Sequence, residues 1–462
     1  MEERDVVIIG GGPAGYVAAI RVMQLGGKAT LIEEENIGGT CVNRGCIPTA
    51  ALLRGTEFLD MPRKAKDYGI TLKLEGTDFA KLMARKDTVV KTVTGGLDLL
   101  MKANGIEVLK GRGRLLSARE VELRLTGGDG KNVTARKVII ATGARMKRPA
   151  VAGAEQLITT DQALQLKEIP RSMVIVGAGT VAFAFASIFN RLGAKVTVIT
   201  GSWEVLPGMD KEIVSLFLKE MKKNKIAVHT PSEISSVADN GQGDKVVKAV
   251  IEGKETELIS QYVLIAGETE ASIDGLGLDA AGVKCGANGI VVNTRMETGV
   301  GGIFAAGDVT GGRWAHAAFV EGRVAAENAM GKDVQMDHAG VPRNLNTVPE
   351  IASVGLTEDE AVGKGYSIQI GRFPLAANPM ATILGERSGL VKVISESKYG
   401  QILGVHIVAP CASSMLPEAV LAMKVDATPL EIGSSIHTHP SLSEALMEAA
   451  MAVTHESVHA AP

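Results

Sequence analysis

Two cysteines in a short glycine-rich stretch are the residues of this sequence best suited to chemistry. Cys41 and Cys46 stand in the segment GGTCVNRGCIPTA. Four intervening residues are unusual for a zinc clip, and Cys285 and Cys411 lack cysteine or histidine partners at metal-ligand spacing. On a regular helix the i and i+5 side chains diverge too far for a disulfide, but Gly45 permits a distortion between them. The pair is therefore either a redox disulfide or two ordinary buried thiols.

A redox pair of this kind needs a proton acceptor, because the thiolate is the reactive form of cysteine. The segment HTHPSLSEALMEAA near the C-terminus offers His437, His439 and Glu444. Pro440 fixes the backbone after His439, and Glu444 opens the next predicted helix, where its carboxylate can orient the imidazole through the far nitrogen. A lone histidine is more often structural than catalytic, so the residues alone leave the role of His439 open.

A glycine-rich turn close to the N-terminus predicts a dinucleotide site. In DVVIIGGGPAG a buried strand leads into the pattern G-x-G-x-x-G and then into a helix. The first glycine makes the tight turn, the second lets a pyrophosphate approach the backbone, and the third allows close packing of helix and strand. A glutamate ends the next predicted strand, where it can accept hydrogen bonds from a ribose hydroxyl. The residues predicted to bind this dinucleotide are Gly10, Gly12, Pro13, Ala14, Gly15, Glu33, Glu34, Gly39 and Thr40.

A second unit of the same design, SMVIVGAGTVAFAFASIFNRLGAKVTVIT, carries a weaker ligand signal. Gly177 and Gly179 are present, and Ala182 is a permitted third member of the pattern. The second strand of this unit ends in Thr200, so it has no carboxylate for a ribose hydroxyl and no nearby arginine or lysine for a 2′-phosphate. The fold of a nucleotide-binding domain is expected here, whereas binding of NAD(H) through the two glycines is left in doubt.

The composition excludes several classes of protein. The chain has 462 residues, 45% of them hydrophobic, with a net charge of −3 and a pI near 6.3, which implies several globular domains and no polyanion-binding face. The acidic N-terminus with its short apolar run is not a signal peptide, and no apolar run is long enough to cross a bilayer. With four cysteines and no export signal, we expect a cytoplasmic protein that contacts neither nucleic acid nor membrane.

The order of these patterns predicts an α/β fold with two Rossmann-like nucleotide-binding domains and a C-terminal α+β domain. The first nucleotide-binding domain is expected at 1–146 and the second at 147–270. A return to the first is expected at 271–342, and the C-terminal domain at 343–462. Two helices are predicted near the end of the chain, at 414–425 and 441–454.

Taken together, these segments resemble the two-cysteine FAD-dependent pyridine nucleotide-disulfide oxidoreductases, most closely the dihydrolipoamide dehydrogenase group. GGTCVNRGCIPT looks like the redox-active disulfide of that family, and HTHPSLSEAL looks like its base segment. ATG at 141–143 and AAGDV at 305–309 look like its flavin-domain motifs. The likeness runs essentially from end to end of the chain.

The resemblance implies a role for each of these residues. FAD would occupy the first nucleotide site, with Asp308 on the ribityl chain. Cys46 would face the flavin as the charge-transfer thiol, Cys41 would exchange with the substrate dithiol, and His439, held by Glu444, would shuttle the proton. In this family the base comes from the other subunit, so the resemblance implies a homodimer and makes the C-terminal α+β domain a dimerisation domain. The further residues implied at the cofactor are Gly113, Ala141, Thr142, Gly143, Gly307 and Ala317.

The chain departs from the family pattern on the nicotinamide side. Ala50 stands where the family has a lysine, and Ala184 stands where it has the glutamate that pairs with that lysine. Glu268 replaces a usual arginine, and Glu270 adds another acid, so negative charge would disfavour a pyrophosphate-bearing ligand. We therefore expect dithiol–disulfide exchange with FAD to be intact and hydride exchange with NAD(H) to be weakened, altered or lost.

Three functional hypotheses follow. The first is a conventional NAD-linked dihydrolipoamide dehydrogenase, and the second is a dithiol oxidoreductase whose electrons pass to another partner, such as a redox protein. The third is a flavoprotein that serves in assembly without turnover. The expected substrate is a dihydrolipoyl-type dithiol, either small or borne by a lipoyl carrier protein. The chain ends in HESVHAAP without a cysteine, which argues against mercuric reductases and large thioredoxin reductases. No metal site is predicted.

Overall fold

The computed structural model of the protein describes residues 4–125, 130–312 and 314–460. Up to residue 146 the helices and strands, in chain order, are β1 Arg4–Ile9, α1 Pro13–Gln24, β2 Ala29–Glu33, α2 Gly39–Asn43, α3 Cys46–Glu57, α4 Met61–Asp67, α5 Phe79–Ala103, β3 Glu107–Leu115, β4 Glu120–Leu125, β5 Gly130–Ile140 and β6 Ala144–Met146. The helices and strands that follow are α6 Thr160–Ala163, β7 Ser172–Val176, α7 Thr180–Arg191, β8 Lys195–Ile199, α8 Lys211–Lys223, β9 Ala227–His229, β10 Ser232–Asp239, β11 Lys245–Ile251, β12 Lys254–Ser260 and β13 Tyr262–Ile265.

The remaining elements complete the first domain and form the C-terminal domain. The chain returns through β14 Thr269–Ala271, β15 Cys285–Gly286, β16 Gly289–Ile290, β17 Ile303–Ala305 and α9 Ala315–Ala329. The C-terminal domain contains β18 Arg343–Leu345, β19 Glu350–Gly355, α10 Glu358–Gly363, β20 Ile368–Pro374, α11 Pro379–Ile383, β21 Leu390–Glu396, β22 Ile402–Ala409, α12 Ala412–Lys424, α13 Pro429–Ser434 and α14 Glu444–Ala452.

The first domain is built on a parallel sheet in the order β3-β2-β1-β5-β17, extended by β4, which pairs antiparallel to β3 and β5. The unbroken apolar run of β1 is buried, as expected for a parallel strand with both faces covered. Helices α1 and α9 pack closely against each other on the sheet. At their crossing, a Cβ on Gly322 would lie only 2.2 Å from the carbonyl oxygen of Ala14. Glycine at this position therefore sets how closely the two helices approach.

The second domain repeats this plan. Its parallel sheet has the order β13-β7-β8-β9, and β10, β11 and β12 form a separate antiparallel sheet. All residues of α7 from Ala182 to Phe189 are buried. The ring of Phe183 stands edge-on to that of Phe217 on α8, with the ring centroids 5.1 Å apart. These aromatic rings form the core of the domain.

The C-terminal domain is an antiparallel sheet in the order β18-β19-β22-β21-β20, packed against helices that follow it in the chain. The sequence predicted two helices near the end of the chain, but the described residues after β22 contain three, because a short helix, α13, separates α12 from α14. Thr428 and Glu431 start α13 with reciprocal side-chain-to-backbone hydrogen bonds. Six residues are too few for a helical hydrophobic period to be visible in the sequence.

A buried cation joins the second domain to the C-terminal domain. Lys392 on β21 is 1% exposed, and its Nζ lies 3.0 Å from Oδ2 of Asp210 and 2.7 Å from Oε2 of Glu358. Asp210 also caps the N-terminus of α8 through the amide of Glu212. Burial alone would raise the pKa of Asp210, but the hydrogen bond from Lys392 and nearby positive charges lower it. Helix α8 is thereby anchored to the C-terminal sheet.

Two short strands mark where the chain leaves the first domain and re-enters it. β6 pairs antiparallel with β14, beside the predicted boundaries at 146/147 and 270/271. The boundaries themselves stay a prediction. Within the described residues, no helix combines the length and the apolar character that a membrane span requires.

Candidate active site

Cys41 and Cys46 lie on either side of a break between two helices. Helix α2 ends at Asn43 and α3 begins at Cys46, while Gly45 between them has φ −126° and ψ −108°, outside the helical region. This break removes the regular i to i+5 geometry that would separate the two side chains. The thiols are in hydrogen-bond contact, Cys41 being half-buried and Cys46 exposed.

The two thiols differ in acidity. The hydrogen bond from Cys41 lowers the pKa of Cys46 to about 7, although burial opposes this change. The same contact raises the pKa of Cys41, and burial and the charge of Asp308 act in the same direction. Of the pair, Cys46 is therefore the better thiolate and the better leaving group, and Cys41 carries the proton.

The first glycine turn is packed so closely that side chains at its first and third glycines would collide with the backbone. Gly10 has φ +103°, and a Cβ there would lie 2.2 Å from the carbonyl oxygen of Ala141. A Cβ on Gly15 would lie 1.8 Å from the carbonyl oxygen of Gly10, and one on Gly39 would lie 2.7 Å from Cα of Gly12. Helix α1 begins at Pro13 without a side-chain cap, so the backbone amides of its first turn are not satisfied by a capping side chain.

A carboxylate is fixed at the same turn. Glu33, at the end of β2, is 9% exposed, and its Oε2 accepts a hydrogen bond from the N–H of Gly11 at 2.6 Å. Its Oε1 accepts another from the N–H of Glu35 at 2.7 Å. Glu34 and Thr40 are exposed beside it. The acid predicted to face a ribose thus stands at the glycine turn in a single orientation.

The chain leaves β5 beside Gly10 through Ala141, Thr142 and Gly143. The N–H of Ala141 donates to the carbonyl of Ile9 at 2.7 Å, which continues the pairing of β1 with β5. The hydroxyl of Thr142 donates to the carbonyl of Ser272 at 2.8 Å, and Gly143 turns the chain with φ +71°. These contacts hold the segment against the turn at Gly10.

A second segment reaches the same place from β17. Gly307 turns the chain with φ +80°, and the charge of Asp308 raises the pKa of both Cys41 and Cys46, so its carboxylate lies within electrostatic range of the thiols. Ala317 is buried on α9. Of the predicted cofactor residues in these two segments, Asp308 is thereby brought near the thiol pair, and Ala141 lies against the turn at Gly10.

Gly113 lies within β3, and a Cβ on it would lie 2.9 Å from the side chain of Ile9. Its backbone therefore approaches the end of β1, directly before Gly10.

Sequence reasoning missed two residues that the structure places at this site. Tyr16 on α1 is half-buried, and both burial and the charge of Cys41 raise its pKa, so the phenol is within electrostatic range of the thiol. Its only signal in the sequence is its position directly after the third glycine of the motif. Glu321 is 3% exposed and accepts the N–H of Gly307 at 2.7 Å. A single acid in an otherwise apolar stretch of helix, AHAAFVEG, is the signal that could have revealed it.

The second glycine turn has the backbone of the first but not its acid. Gly177 has φ +153°, and a Cβ there would lie 2.2 Å from the carbonyl oxygen of Ala266, the same distance as at Gly10. Gly179 precedes α7, and a Cβ on it would meet no atom within 4 Å. Thr200, at the position that matches Glu33, is 6% exposed and accepts the N–H of Ser202 at 3.2 Å. The turn is intact, and no carboxylate stands at the end of β8.

The two acids after β13 are paired with cations, which weakens the charge argument made from the sequence. Glu270 accepts a hydrogen bond from Nε of Arg145 at 2.8 Å, and Glu268 lies 3.6 Å from Nζ of Lys147. Both cations come from β6 and the residue after it, which the sequence alone does not bring near the acids. Repulsion of a pyrophosphate by these two glutamates is therefore offset locally.

Ala50 and Ala184 lie on α3 and α7, which pack against each other. Ala50 is exposed, whereas Ala184 is 7% exposed and belongs to a core that includes Leu52 and Phe183. The phenylalanines of α7, Phe183, Phe185 and Phe189, are buried in this core. The position where the family carries a glutamate is thus apolar and closed in this protein.

His439 and Glu444 form a directed pair. Nδ1 of His439 lies 2.8 Å from Oε1 of Glu444, while Oε2 of Glu444 accepts the N–H of Ser441 at 2.7 Å. Burial alone would raise the pKa of Glu444, but the hydrogen bonds from His439 and Ser441 bring it below its usual value. A carboxylate on Nδ1 leaves Nε2 of the exposed imidazole to accept a proton. His437 bonds elsewhere, with its Nε2 3.1 Å from Glu418.

Within the described residues, no group of three or more His, Cys, Asp or Glu side chains has the geometry to hold a metal ion. Cys285 and Cys411 are exposed thiols.

Comparison with known proteins agrees with this geometry. Residues 4–322 match the family described as pyridine nucleotide-disulphide oxidoreductase, and residues 341–450 match its dimerisation domain. The chain is 39% identical over 464 residues to the dihydrolipoyl dehydrogenase of Thermus scotoductus, which covers 99% of each chain. It is 38% identical over 465 residues to the leghemoglobin reductase of Vigna unguiculata, covering 99% of this chain and 89% of that one.

A solved structure has the same fold. The HOCl-induced flavoprotein disulfide reductase RclA of Escherichia coli, solved as a Cu(II) complex, superimposes with a TM-score of 0.87 at 25% identity. The match covers 97% of this chain and 99% of that chain. With both domain matches and full-length relatives well above 30% identity, this chain belongs to the pyridine nucleotide-disulphide oxidoreductase family, as a flavin disulfide oxidoreductase of the dihydrolipoyl dehydrogenase type.

Proposed function

We propose that the protein oxidises a dihydrolipoyl-type dithiol through Cys41 and Cys46, and that its use of NAD(H) is weakened. The observation that carries this proposal is the thiol pair itself. Its two thiols share a hydrogen bond at the break between α2 and α3, and the charge of Asp308 acts on both of them. A second feature, the His439–Glu444 pair, supplies the proton acceptor that thiol exchange requires.

The residues of the first domain fit FAD. The glycines at positions 10, 15 and 39 let the strand, the helix and the segment after β2 pack closely, and Gly12, where a Cβ would meet no atom nearer than 3.9 Å, leaves the turn open beside the uncapped N-terminus of a helix. Glu33 is held at the turn as a hydrogen-bond acceptor for a ribose. When bound there, FAD supplies the two-electron acceptor for the dithiol pair. Gly113, the segment 141–143, Gly307, Asp308 and Ala317 would complete its binding site.

The exchange step follows from the difference between the thiols. In the oxidised protein, a thiolate of the substrate attacks Sγ of Cys41, the Cys41–Cys46 bond breaks, and Cys46 leaves as a thiolate. The second substrate thiol then attacks the mixed disulfide and releases Cys41. The substrate thus loses two electrons and two protons and forms its own disulfide, while the cysteine pair gains the electrons. A low pKa at Cys46 favours its departure, because more acidic thiols leave faster.

His439 is proposed as the acceptor of the substrate proton. Glu444 orients its Nδ1, so Nε2 can take the proton of the attacking thiol, return it to Cys41 as that thiol is released, and then hold the proton of the second substrate thiol. The cysteines lie in the first domain and His439 in the dimerisation domain, which agrees with a site assembled between two subunits of a homodimer.

The second domain fits its nucleotide less well. Gly177 keeps the turn, but Thr200 supplies no carboxylate for a ribose, and alanines replace the lysine–glutamate pair that the family resemblance implies at positions 50 and 184. We infer that electrons leave by another carrier, such as a redox protein, or reach NAD(H) slowly. The leghemoglobin reductase of Vigna unguiculata, whose name refers to a haem protein, supports such a partner for this scaffold.

An anaerobic titration of the FAD-loaded protein tests the proposal. Separate samples receive dihydrolipoamide, NADH and NADPH, and the flavin spectrum is recorded after each addition. We expect dihydrolipoamide to produce the long-wavelength band of a thiolate beside the flavin, and a Cys41→Ser variant to lose reduction by dithiol. Reduction by NADH at the same rate would identify a conventional NAD-linked enzyme and overturn the second half of the proposal. No response to any dithiol would overturn the first half.

A further inference from the structure

The last described residues of the chain fold back onto α14 and bond to Glu448, which lies one helical turn after Glu444, the partner of the proposed base. Glu448 is 2% exposed, and its carboxylate accepts hydrogen bonds from the tail, residues 457–459. Oε2 lies 2.6 Å from Oγ of Ser457, 2.9 Å from the N–H of Val458 and 3.3 Å from the N–H of His459. Oε1 lies 2.6 Å from Nδ1 of His459. Both oxygens of this buried carboxylate are thus committed to the tail.

Glu448 and Glu444 stand four residues apart and therefore share one face of α14. Each is paired with an imidazole, His439 on Glu444 at 2.8 Å and His459 on Glu448 at 2.6 Å. The four side chains line a single small pocket, whose other lining residues are Phe373, Asn378 and Pro379. The base is therefore bordered by a second imidazole–carboxylate pair.

The His459–Glu448 pair changes the electrostatics of the His439–Glu444 pair. Burial alone would raise the pKa of Glu448, but hydrogen bonds from Ser457 and His459 lower it, so the carboxylate is ionised and Nδ1 of His459 donates to it. Positive charge on His459 also lowers the pKa of Glu444, after the larger effects of burial and the hydrogen bond from His439. His459 therefore interacts electrostatically with Glu444, the carboxylate that orients His439.

A buried carboxylate without partners is costly, so it takes any donor within reach. If the tail were released, Glu448 would be a second acceptor about 5–6 Å from Glu444 along the helix face, close enough to compete for the imidazole of His439. Occupation of Glu448 by His459 leaves Glu444 as the carboxylate that sets the direction of His439.

We propose that His459 is a positioning residue for the proton acceptor: by occupying Glu448 it fixes the chain end against α14 and keeps His439 directed by Glu444. This inference rests on the proposed role of His439.

Variants of the homodimeric, FAD-loaded protein test the inference. His459→Ala removes the donor to Glu448, and His459→Asn keeps an N–H in a similar place. His455→Asn is the matched control, because His455 is an exposed residue just before the tail and outside the pocket, and asparagine tolerates its φ of +62°. Dihydrolipoamide oxidation is followed with a saturating artificial electron acceptor, which makes the assay independent of NAD(H). Deuterium exchange at the amide of Ser441, which donates to Glu444, reports the geometry without turnover.

We expect His459→Ala to lower kcat about tenfold with little change in KM, less than the roughly 100-fold loss expected for His439→Gln, in which the base itself is removed. The acid limb of its pH profile should shift, and exchange at Ser441 should rise. His459→Asn should recover most of the loss, and His455→Asn should match the parent. Parental kcat, pH profile and exchange in His459→Ala would overturn the inference, as would equal losses in His459→Ala and His459→Asn.

The experiments distinguish a failure of the proposed role of His439 from a failure of the proposed role of His459. If His439→Gln and the parent oxidise dithiol equally, the proposed role of His439 is wrong. Exchange at Ser441 then still decides whether His459 holds the Glu444 segment in place, since that measurement needs no activity.

Discussion

Restoring an ion pair at positions 50 and 184 would test how the apolar contact between α3 and α7 is built. Ala184 is 7% exposed in a core of aliphatic and aromatic side chains, so Ala184→Glu alone buries an unpaired carboxylate. The expected loss is about 3–5 kcal/mol of unfolding free energy. Ala50 is exposed, so Ala50→Lys alone should change stability by less than about 0.5 kcal/mol. Since the two helices pack together, the lysine should reach the new carboxylate and recover about 0.5–3 kcal/mol of the loss.

The four proteins of this double-mutant cycle are compared by urea denaturation of the FAD-loaded dimer, followed by circular dichroism. Val181→Glu is the matched control, since it adds the same charge to the same helix at a residue that is 41% exposed. If Ala184→Glu costs no more than Val181→Glu, or if Ala50→Lys gives no recovery, the two positions do not form a coupled buried site. A faster reduction of the flavin by NADH in the double variant would link this pair to the weakened use of NAD(H) that we propose.

Three further predictions concern single residues. In the reduced protein, alkylation of Cys46 should follow a pKa of about 7, and Cys41→Ala should raise it toward the ordinary thiol value, as measured by mass spectrometry across a pH series. Gly322→Ala should lower stability by about 1–3 kcal/mol through overpacking of α1 against α9, and should weaken retention of FAD during gel filtration. Lys392→Met should cost about 3–5 kcal/mol at pH 7 by leaving buried Asp210 unpaired.

Two further substitutions serve as controls for the cysteine and glycine variants. Cys41→Ser keeps a donor beside Cys46, so its alkylation should stay near the parental pH. Gly363→Ala should be tolerated, because a Cβ there meets no atom within 4 Å. If it is as damaging as Gly322→Ala, overpacking is not the cause of the loss.

The pH dependence of the lysine variant has a definite sign. The pKa of Asp210 is lowered in the folded state, so its contribution to stability is complete above about pH 3.9 and is lost as the pH falls through the lower folded value. The stability difference between Lys392→Met and the parent should therefore shrink on acidification. A difference that stays constant down to acid pH would mean that Asp210 is not the partner responsible.

Features set by neighbouring residues could be predicted from the sequence. The glycine turns, the strands that precede them and the place of Glu33 at the end of β2 follow from local patterns. Gly45 supplies the bend that the cysteine spacing requires. The pairing of His439 with Glu444 also follows from their spacing across Pro440 and the start of α14.

Features that join distant parts of the chain could not be predicted. Glu268 and Glu270 meet their cations across the β6–β14 pairing, which spans more than a hundred residues of sequence. Lys392 and Asp210 come from different domains, and the sequence around neither residue indicates that they form an ion pair. The bond between His459 and Glu448 likewise depends on how the tail folds back, which the sequence does not indicate.

The two glycine turns have a consequence for reading sequences of this fold. At both Gly10 and Gly177 a side chain would collide with a carbonyl oxygen 2.2 Å away, that of Ala141 in one case and Ala266 in the other. This collision involves only the protein, so the glycine is required to close the sheet against the turn even in a domain that has no ligand. A motif of this kind therefore reflects a folding constraint that holds whether or not a nucleotide binds. The evidence for a ligand has to be sought one strand later, at the residue that does or does not offer a carboxylate.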